Sequence, residues 1–293
     1  MPDLKGKIIA ILGGDARETI LAERLSALGM TVRVLGLPVR NENIITVSDV
    51  AGAVEGAAAI ILPVPGINDQ RQIYSAFVHP PFVLEEDVLK GLPPGTPVLV
   101  GMARPLLKEM VSKHGLKLIE VMKIDEVAIL NSIPSAEGAI QMAMENTEIT
   151  IHGSRCAVLG FGRTGMTLAR SLAALGAKTT VVARKPSDRA RAREMGLAWA
   201  DFTSLASVLT GSDIIFNTVP RMVLDSSMLA VTPCQAVIID LASSPGGTDF
   251  EAARDYGIKA LLAPGLPGRV APKTAGNILA EIIPGLLITE ITS

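Results

Sequence analysis

Residues 153–187 read GSRCAVLGFGRTGMTLARSLAALGAKTTVVARKPS. The run CAVLG predicts a strand, Gly160-x-Gly162-x-x-Gly165 the turn into a helix, Leu175-Gly176 the helix end, and Lys178–Ala183 a second strand. The glycine pattern alone is weak. Strand, fingerprint and helix within about 30 residues supply the context that a dinucleotide-binding βαβ unit requires. Gly160 permits the tight turn, Gly162 lets the backbone approach a pyrophosphate, and Gly165 lets the helix close on the sheet, while N–H groups at the helix start face an anion. Thr164 can donate to a phosphate from that start, and Arg163 either pairs with phosphate or is solvated. The second strand would end in Asp or Glu if the ribose carried a free 2′-hydroxyl. It ends instead Ala183-Arg184-Lys185-Pro186-Ser187. Two cations and a hydroxyl suit a 2′-phosphate, which indicates NADP rather than NAD; the alternative is a solvated basic turn on an NAD-binding domain.

The fingerprint lies mid-chain, so something of similar size precedes it. A shift of the sequence by 147 residues places Gly6–Val34 on Gly153–Val181 without gaps, with Gly6, Ala10, Leu12, Gly13, Leu21, Ala22, Leu25, Ala27, Leu28 and Gly29 each meeting an identical residue. The first half therefore opens with the same strand, glycine turn, helix and strand. Its turn, Gly13-Gly14-Asp15-Ala16-Arg17-Glu18, has lost the second and third glycines, and Asp15 in the place of Gly162 would repel a pyrophosphate. Further strands read at Ala59–Leu62, Pro97–Gly101 and Leu116–Val121 in this half, with a helix at Arg104–Lys113, and at Asp213–Asn217, Val237–Asp240 and Lys259–Ala263 in the other. Helices alternate with strands, which predicts α/β architecture with mostly parallel sheets.

Between the halves, Asn131-Ser132-Ile133-Pro134-Ser135 leads into AEGAIQMAMENT, and Ser135 is read as the N-cap of a bridging helix reaching about Asn146. The tail Pro272–Thr289 reads as a last helix with Pro272 at its start, packing back across the junction. The expected organisation is two Rossmann-like domains: residues 1–125 with the C-terminal helix 275–293, a bridge over 126–150, and a dinucleotide domain over 151–274.

Composition agrees with that class. Of 293 residues 48% are hydrophobic but only 3% aromatic, the Ala/Val/Ile/Leu balance of sheets buried on both faces. A net charge of −2 argues against nucleic acid or a membrane surface as partner. No uncharged apolar run reaches bilayer length and the start MPDLKGKIIA lacks a signal-peptide profile, so the chain is expected in the cytoplasm. Cys156 and Cys234 fit no metal or redox spacing and read as small buried hydrophobes; no metal site is expected.

In open α/β sheets, ligands bind beyond the carboxyl ends of the strands. There the second half carries Asn217-Thr218-Val219-Pro220, Asp240-Leu241-Ala242-Ser243-Ser244 and Ala263-Pro264-Gly265-Leu266-Pro267-Gly268, small and proline-rich loops that suit a wall for a nicotinamide. In the first half, Gly14 and Arg17 at one strand exit offer backbone N–H groups and a guanidinium to a carboxylate substrate, unless Arg17 is an exposed helical residue. Pro63-Val64-Pro65-Gly66 forms another exit there. Asn131, Ser132 and Ser135 either face the cleft or cap a helix. An alcohol dehydrogenase needs a general base, usually His. His79, His114 and His152 all precede the fingerprint and read as surface or loop residues, which disfavours alcohol oxidation.

The strings GGDAR (13–17), NSIPSAEG (131–138), TIHGS (150–154), GFGRTGMTLAR (160–170), LASSPGGTDF (241–250) and LLAPGLPGRVAPKTAGNILA (261–280) together resemble the dipicolinate synthase A-subunit family of spore-forming bacteria. The resemblance implies an NADP-linked protein working with a flavoprotein-like B-subunit in the mother-cell cytoplasm, turning dihydrodipicolinate into dipicolinate. It implies pyrophosphate contacts from Gly160, Gly162, Arg163, Thr164 and Gly165, 2′-phosphate contacts from Arg184 and Lys185, and a nicotinamide wall of Thr218, Val219, Pro220, Asp240, Leu241, Ala242 and Ser243. Phe161 stands where some relatives are expected to carry an aliphatic residue, with its side chain turned away from the ligand. Homo-oligomers are expected as well. The resemblance names no catalytic base. The competing readings are a 2-hydroxy or amino acid dehydrogenase on the same architecture, and a non-catalytic NADPH-binding scaffold for the flavoprotein partner.

Overall fold

The computed structural model describes residues 4–243 and 246–292. It divides into two compact units, one running to Ala128 and resuming at Pro272, the other spanning Ile129–Ala271.

The first unit holds β1 (Ile8–Leu12), β2 (Thr31–Leu35), β3 (Ile44–Val47), β4 (Ala59–Ile61), β5 (Pro97–Val100) and β6 (Lys117–Glu120), in the order β3-β2-β1-β4-β5-β6, all neighbours parallel. Its helices are α1 (Ala16–Ala27), α2 (Val50–Val54), α3 (Glu86–Lys90) and α4 (Pro105–Lys113). Helix α5 (Asp125–Asn146) starts here and continues into the second unit. There the strands are β7 (Arg155–Leu159), β8 (Lys178–Val182), β9 (Ala198–Ala200), β10 (Ile214–Asn217), β11 (Val237–Asp240) and β12 (Lys259–Leu262), in the order β12-β11-β10-β7-β8-β9, again all parallel. Helices α6 (Arg163–Ala174), α7 (Pro186–Glu194), α8 (Leu205–Thr210), α9 (Ser226–Leu229), α10 (Phe250–Asp255) and α11 (Leu266–Val270) flank this sheet. Helix α12 (Pro272–Thr292) returns to the first unit and packs along α1.

The 147-residue repeat is literal in three dimensions. Adding 147 to the bounds of β1, α1 and β2 gives those of β7, α6 and β8. Both sheets have the 3-2-1-4-5-6 order of dinucleotide-binding folds. Central strands are apolar on both faces, as a sheet covered by helices on both sides demands: β5, β10 and β11 are buried at every position. In the second unit, one layer of core joins Ala136, Ala139 and Ala143 of α5 to Val158, Leu168, Leu172 and Phe216, and another joins Leu159, Ile215 and Ile238 to Leu205 and Leu229. Phe161 lies buried in the first of these layers.

Several expectations need correction. Ser135 caps nothing: it lies ten residues inside α5, its hydroxyl donating to the Asn131 carbonyl at 2.8 Å. Pro134 removes one ladder N–H, but it does not end the helix, because buried Val127, Ala136, Ala139 and Ala143 hold both sides of the break in place. Strands β3 and β9 add to the expected set: both are short sheet-edge strands with exposed positions. Cys156 is buried, but Cys234 is exposed. His114 lies in the turn that ends α4, as a loop residue, but its side chain is only 10% exposed and stands 3.9 Å from Glu86. Helix α12 is apolar and long enough to cross a bilayer by length and composition alone, and half of that stretch is buried within the protein.

Candidate functional site

Parallel pairing puts the exits of β7, β8, β10, β11 and β12 on one edge of the second sheet. The crevice of this topology opens between β7 and β10, where the chain order reverses. The first and third fingerprint glycines are explained by packing there. Gly160 has φ +91°, and a Cβ on it would lie 2.5 Å from Thr218 Oγ1. A Cβ on Gly165 would overlap the Gly160 carbonyl oxygen, so α6 could not close on the turn. Thr218 ties the two strand exits together, its Oγ1 donating to the Leu159 carbonyl at 2.8 Å.

Gly162 is different. Its φ of −83° suits any residue, and among the described residues nothing lies within 4 Å of where a Cβ would stand. Gly162 N-caps α6 and has no side chain with which to engage the helix N-terminus. An N-terminus left uncapped, behind a residue with open space in front of it, is the arrangement a pyrophosphate requires. The residues therefore fit a dinucleotide. Arg163 and Thr164 form the first turn of α6, Arg163 exposed and Thr164 half-buried.

At the β8 exit, Arg184 and Lys185 are exposed, and among the described residues no carboxylate pairs with either. Lys185 N-caps α7, again without a side-chain cap, and Pro186 takes the first helical position. Beyond β10 and β11, two fully buried polar residues shape the loops. Asn217 Nδ2 donates to the Val219 carbonyl at 3.3 Å and its Oδ1 accepts the Val219 N–H at 3.0 Å. Asp240, 0% exposed, accepts from the Ala242 N–H (2.9 Å), the Gly247 N–H (2.8 Å) and Thr248 Oγ1 (2.7 Å). The expected cofactor contact from Asp240 is corrected by this geometry: its carboxylate is wholly engaged by its own loop, so its part is to hold that wall in shape. Thr218, Val219, Pro220, Leu241 and Ser243 keep accessible surface there, Ala242 is buried, and Pro264 and Gly265 are exposed before α11. Ser244 lies outside the described residues.

The corresponding turn of the first unit is closed from within. The Gly14 N–H donates to the Tyr74 carbonyl at 2.9 Å, and the Ala76 N–H donates to the Gly14 carbonyl at 2.9 Å. Asp15 and Glu18 form a reciprocal capping box on α1: Asp15 accepts the Arg17 N–H at 3.0 Å and Glu18 Oε2 accepts the Asp15 N–H at 2.9 Å. Arg17, 7% exposed, donates from Nε and Nη2 to the two Asp15 oxygens at 2.9 and 2.7 Å. Neither the expected free N–H groups beside Gly14 and Arg17 nor the alternative, an exposed Arg17, is found, because Asp15 engages the helix N-terminus and the guanidinium together.

Burial works against the Asp15 carboxylate, but the Arg17 hydrogen bonds and charge outweigh it and hold its pKa below the usual value. The pair likewise raises Arg17 against the cost of its burial. Glu18 is 1% exposed and its Oε1 accepts the Val64 N–H at 3.2 Å. Burial dominates here despite the nearby guanidinium, and pushes its carboxyl up to about 7.

The helix residues Ser132 and Ser135, expected to face a ligand, are also engaged locally. Ser132, 1% exposed, donates to the Ile129 carbonyl at 2.6 Å and shares a hydrogen with Thr167 Oγ1 at 2.6 Å. Ser135 is held by the carbonyl of Asn131, as described above. Sequence reasoning missed Asn217 and Arg189 as shapers of the strand exits. Only their position two residues before Val219 and five after Arg184 could have flagged them.

Comparison with known proteins agrees with the geometry. The family profile described as the NAD-binding domain of D-isomer specific 2-hydroxyacid dehydrogenases matches residues 133–245, and that of the N-terminal domain of the dipicolinate synthase A-subunit matches residues 8–122. Two parallel Rossmann-like units, one with an open fingerprint, define an oxidoreductase of the dehydrogenase type that takes a nicotinamide cofactor. The dipicolinate synthase A-subunit of Bacillus subtilis (strain 168) is 40% identical, over 97% of this chain and 97% of its own length. The chain belongs to the dipicolinate synthase A-subunit family. The crystal structure of the dipicolinate synthase A-subunit from Bacillus halodurans superposes with a TM-score of 0.92 at 40% identity, covering 97% of this chain and 98% of the other. A transhydrogenase from Sinorhizobium meliloti shares the fold, with a TM-score of 0.69 at 16% identity, covering 98% of this chain and 95% of the other.

Proposed function

We propose that this chain is the NADP-dependent dehydrogenase component that converts dihydrodipicolinate into dipicolinate (pyridine-2,6-dicarboxylate), alongside a flavoprotein-like B-subunit in the cytoplasm of a sporulating cell. The observation that carries the reading is the uncapped α6 N-terminus behind an unobstructed Gly162, with two exposed cations at the next strand exit. Membership of the family supplies the substrate class.

The nicotinamide, when bound, supplies a hydride acceptor. The Gly162–Gly165 turn and the first N–H groups of α6 would hold the pyrophosphate, and Arg184 and Lys185 the 2′-phosphate. Thr218–Pro220, Leu241–Ser243, Pro264 and Gly265 would wall the ring, held by Asn217 and Asp240 from behind. The substrate loses one hydride and one proton to become an aromatic dianion. Aromatisation favours that proton loss, so a weak base or water is enough to accept it.

Incubation of the purified chain with dihydrodipicolinate and NADP, with and without the B-subunit, tests the proposal through the absorbance of reduced nicotinamide. Turnover with NADP supports it. Oxidation of a 2-hydroxy or amino acid in its place would replace it with the sister dehydrogenase reading, and cofactor binding with no turnover in either mixture would leave a scaffold.

A further inference from the structure

Arg189, five residues beyond Arg184, sends no bond to any carboxylate among the described residues. Its Nη1 donates to the carbonyls of Ala183 and Arg184 at 3.1 and 2.8 Å, and its guanidinium lies 5.9 Å from the centre of the Trp199 ring. Ala183 is buried and its N–H donates to the Ala200 carbonyl at 3.0 Å, so one side of this knot is the β8–β9 ladder. The other side is Lys185, with ψ 134°, kept extended by the proline that follows it. The peptide groups on both sides of Arg184 are thus fixed: the first by strand and guanidinium, the second by guanidinium and Pro186.

Resting on the NADP reading above, we propose that Arg189 is the positioning residue that sets preference for a 2′-phosphorylated dinucleotide, acting through the backbone that carries Arg184 and Lys185 rather than by touching the phosphate. Two long, exposed cations lose much rotamer freedom when they close on an anion, and a fixed backbone reduces how much more must be ordered. The same guanidinium offsets the negative ends of two carbonyls beside the phosphate's approach. Among the described residues no hydrogen bond joins Ala183, Arg184 or Arg189 to the Gly160–Gly165 turn, so binding of the shared pyrophosphate should change little.

The test is the ratio of dissociation constants for 5′-AMP and 2′,5′-ADP, measured by calorimetry on the whole chain and its variants. In R189A that ratio is expected to fall about tenfold, the worth of roughly one charge-assisted hydrogen bond, with 5′-AMP affinity within about twofold. R189K keeps the charge but loses the planar guanidinium over Trp199 and its paired donors; its ratio should fall about threefold, and it carries the test should R189A fail to fold. Equal weakening of both ligands, or an unchanged ratio, would overturn the role of Arg189 while leaving the clamp intact. A ratio near one in the unmodified chain would overturn the NADP reading itself, and this inference with it.

Discussion

Substituting the glycines of the fingerprint one at a time separates folding from binding. Ala at 162 meets an allowed backbone and empty space, so its cost is that of a poorer helix cap, about 0.5–1 kcal/mol, offset by about 0.4–1 kcal/mol from a stiffer unfolded chain. The melting temperature of Gly162→Ala should therefore stay close to wild type. Its methyl group occupies the approach to the α6 N–H groups, and the loss of one or two hydrogen bonds to a charged phosphate, about 1.5–3 kcal/mol, weakens NADP about ten- to hundredfold. Ala at 165 puts a methyl into the Gly160 carbonyl and 3.3 Å from Thr218 Oγ1, an overpacking of about 1–3 kcal/mol that lowers the melting temperature by several degrees. Thermal unfolding without cofactor and calorimetric titration with NADP read the two effects independently. NADP affinity of Gly162→Ala within twofold of wild type would refute the assignment of this turn to the pyrophosphate. A melting loss as large as that of Gly165→Ala would refute the reading that the space before Gly162 is open.

Arg184→Asp should weaken NADP about tenfold or more and leave NAD unchanged or improved, measured in paired titrations; equal loss for both cofactors would remove Arg184 from the 2′-phosphate. Since Asp15, Glu18 and Tyr74 close the first unit's turn, calorimetry should find one NADP per chain, and two equivalent sites would contradict that. Glu18 gives the first unit a pH dependence. Its carboxyl titrates at about 7 when folded against an ordinary 4.5, so the folded state holds the extra proton between those values and stability falls as pH rises through that window, by about 3 kcal/mol in all. The stability of Glu18→Gln followed across that range should be nearly independent of pH; a wild-type slope in the variant would assign the effect to another group.

The residue string alone was enough for the architecture and for the contrast between the two glycine turns. Identities at a fixed spacing of 147, and strands of Val, Ile and Leu alternating with amphipathic helices, are local or periodic signals, and β1, α1 and β2 fall where that shift places them. The lost glycines already separated the two turns, because backbone approach depends on what a single residue carries at its Cβ. What a side chain faces depends on chain far away in sequence, and here only the tertiary structure decided. Arg17 looked like an anion site until Asp15 was seen to engage it, and the turn looked open until residues 74–76 were seen to close it. Asp240 looked like a cofactor contact, yet burial drives its carboxylate onto the N–H and hydroxyl groups of its own loop. Ser132 and Ser135 looked like cleft or cap residues, yet packed alanines carry the helix through Pro134 and bring both hydroxyls onto carbonyls one turn back. Polar groups withdrawn from water must find partners, and which partner is near is a property of the folded chain rather than of neighbouring letters.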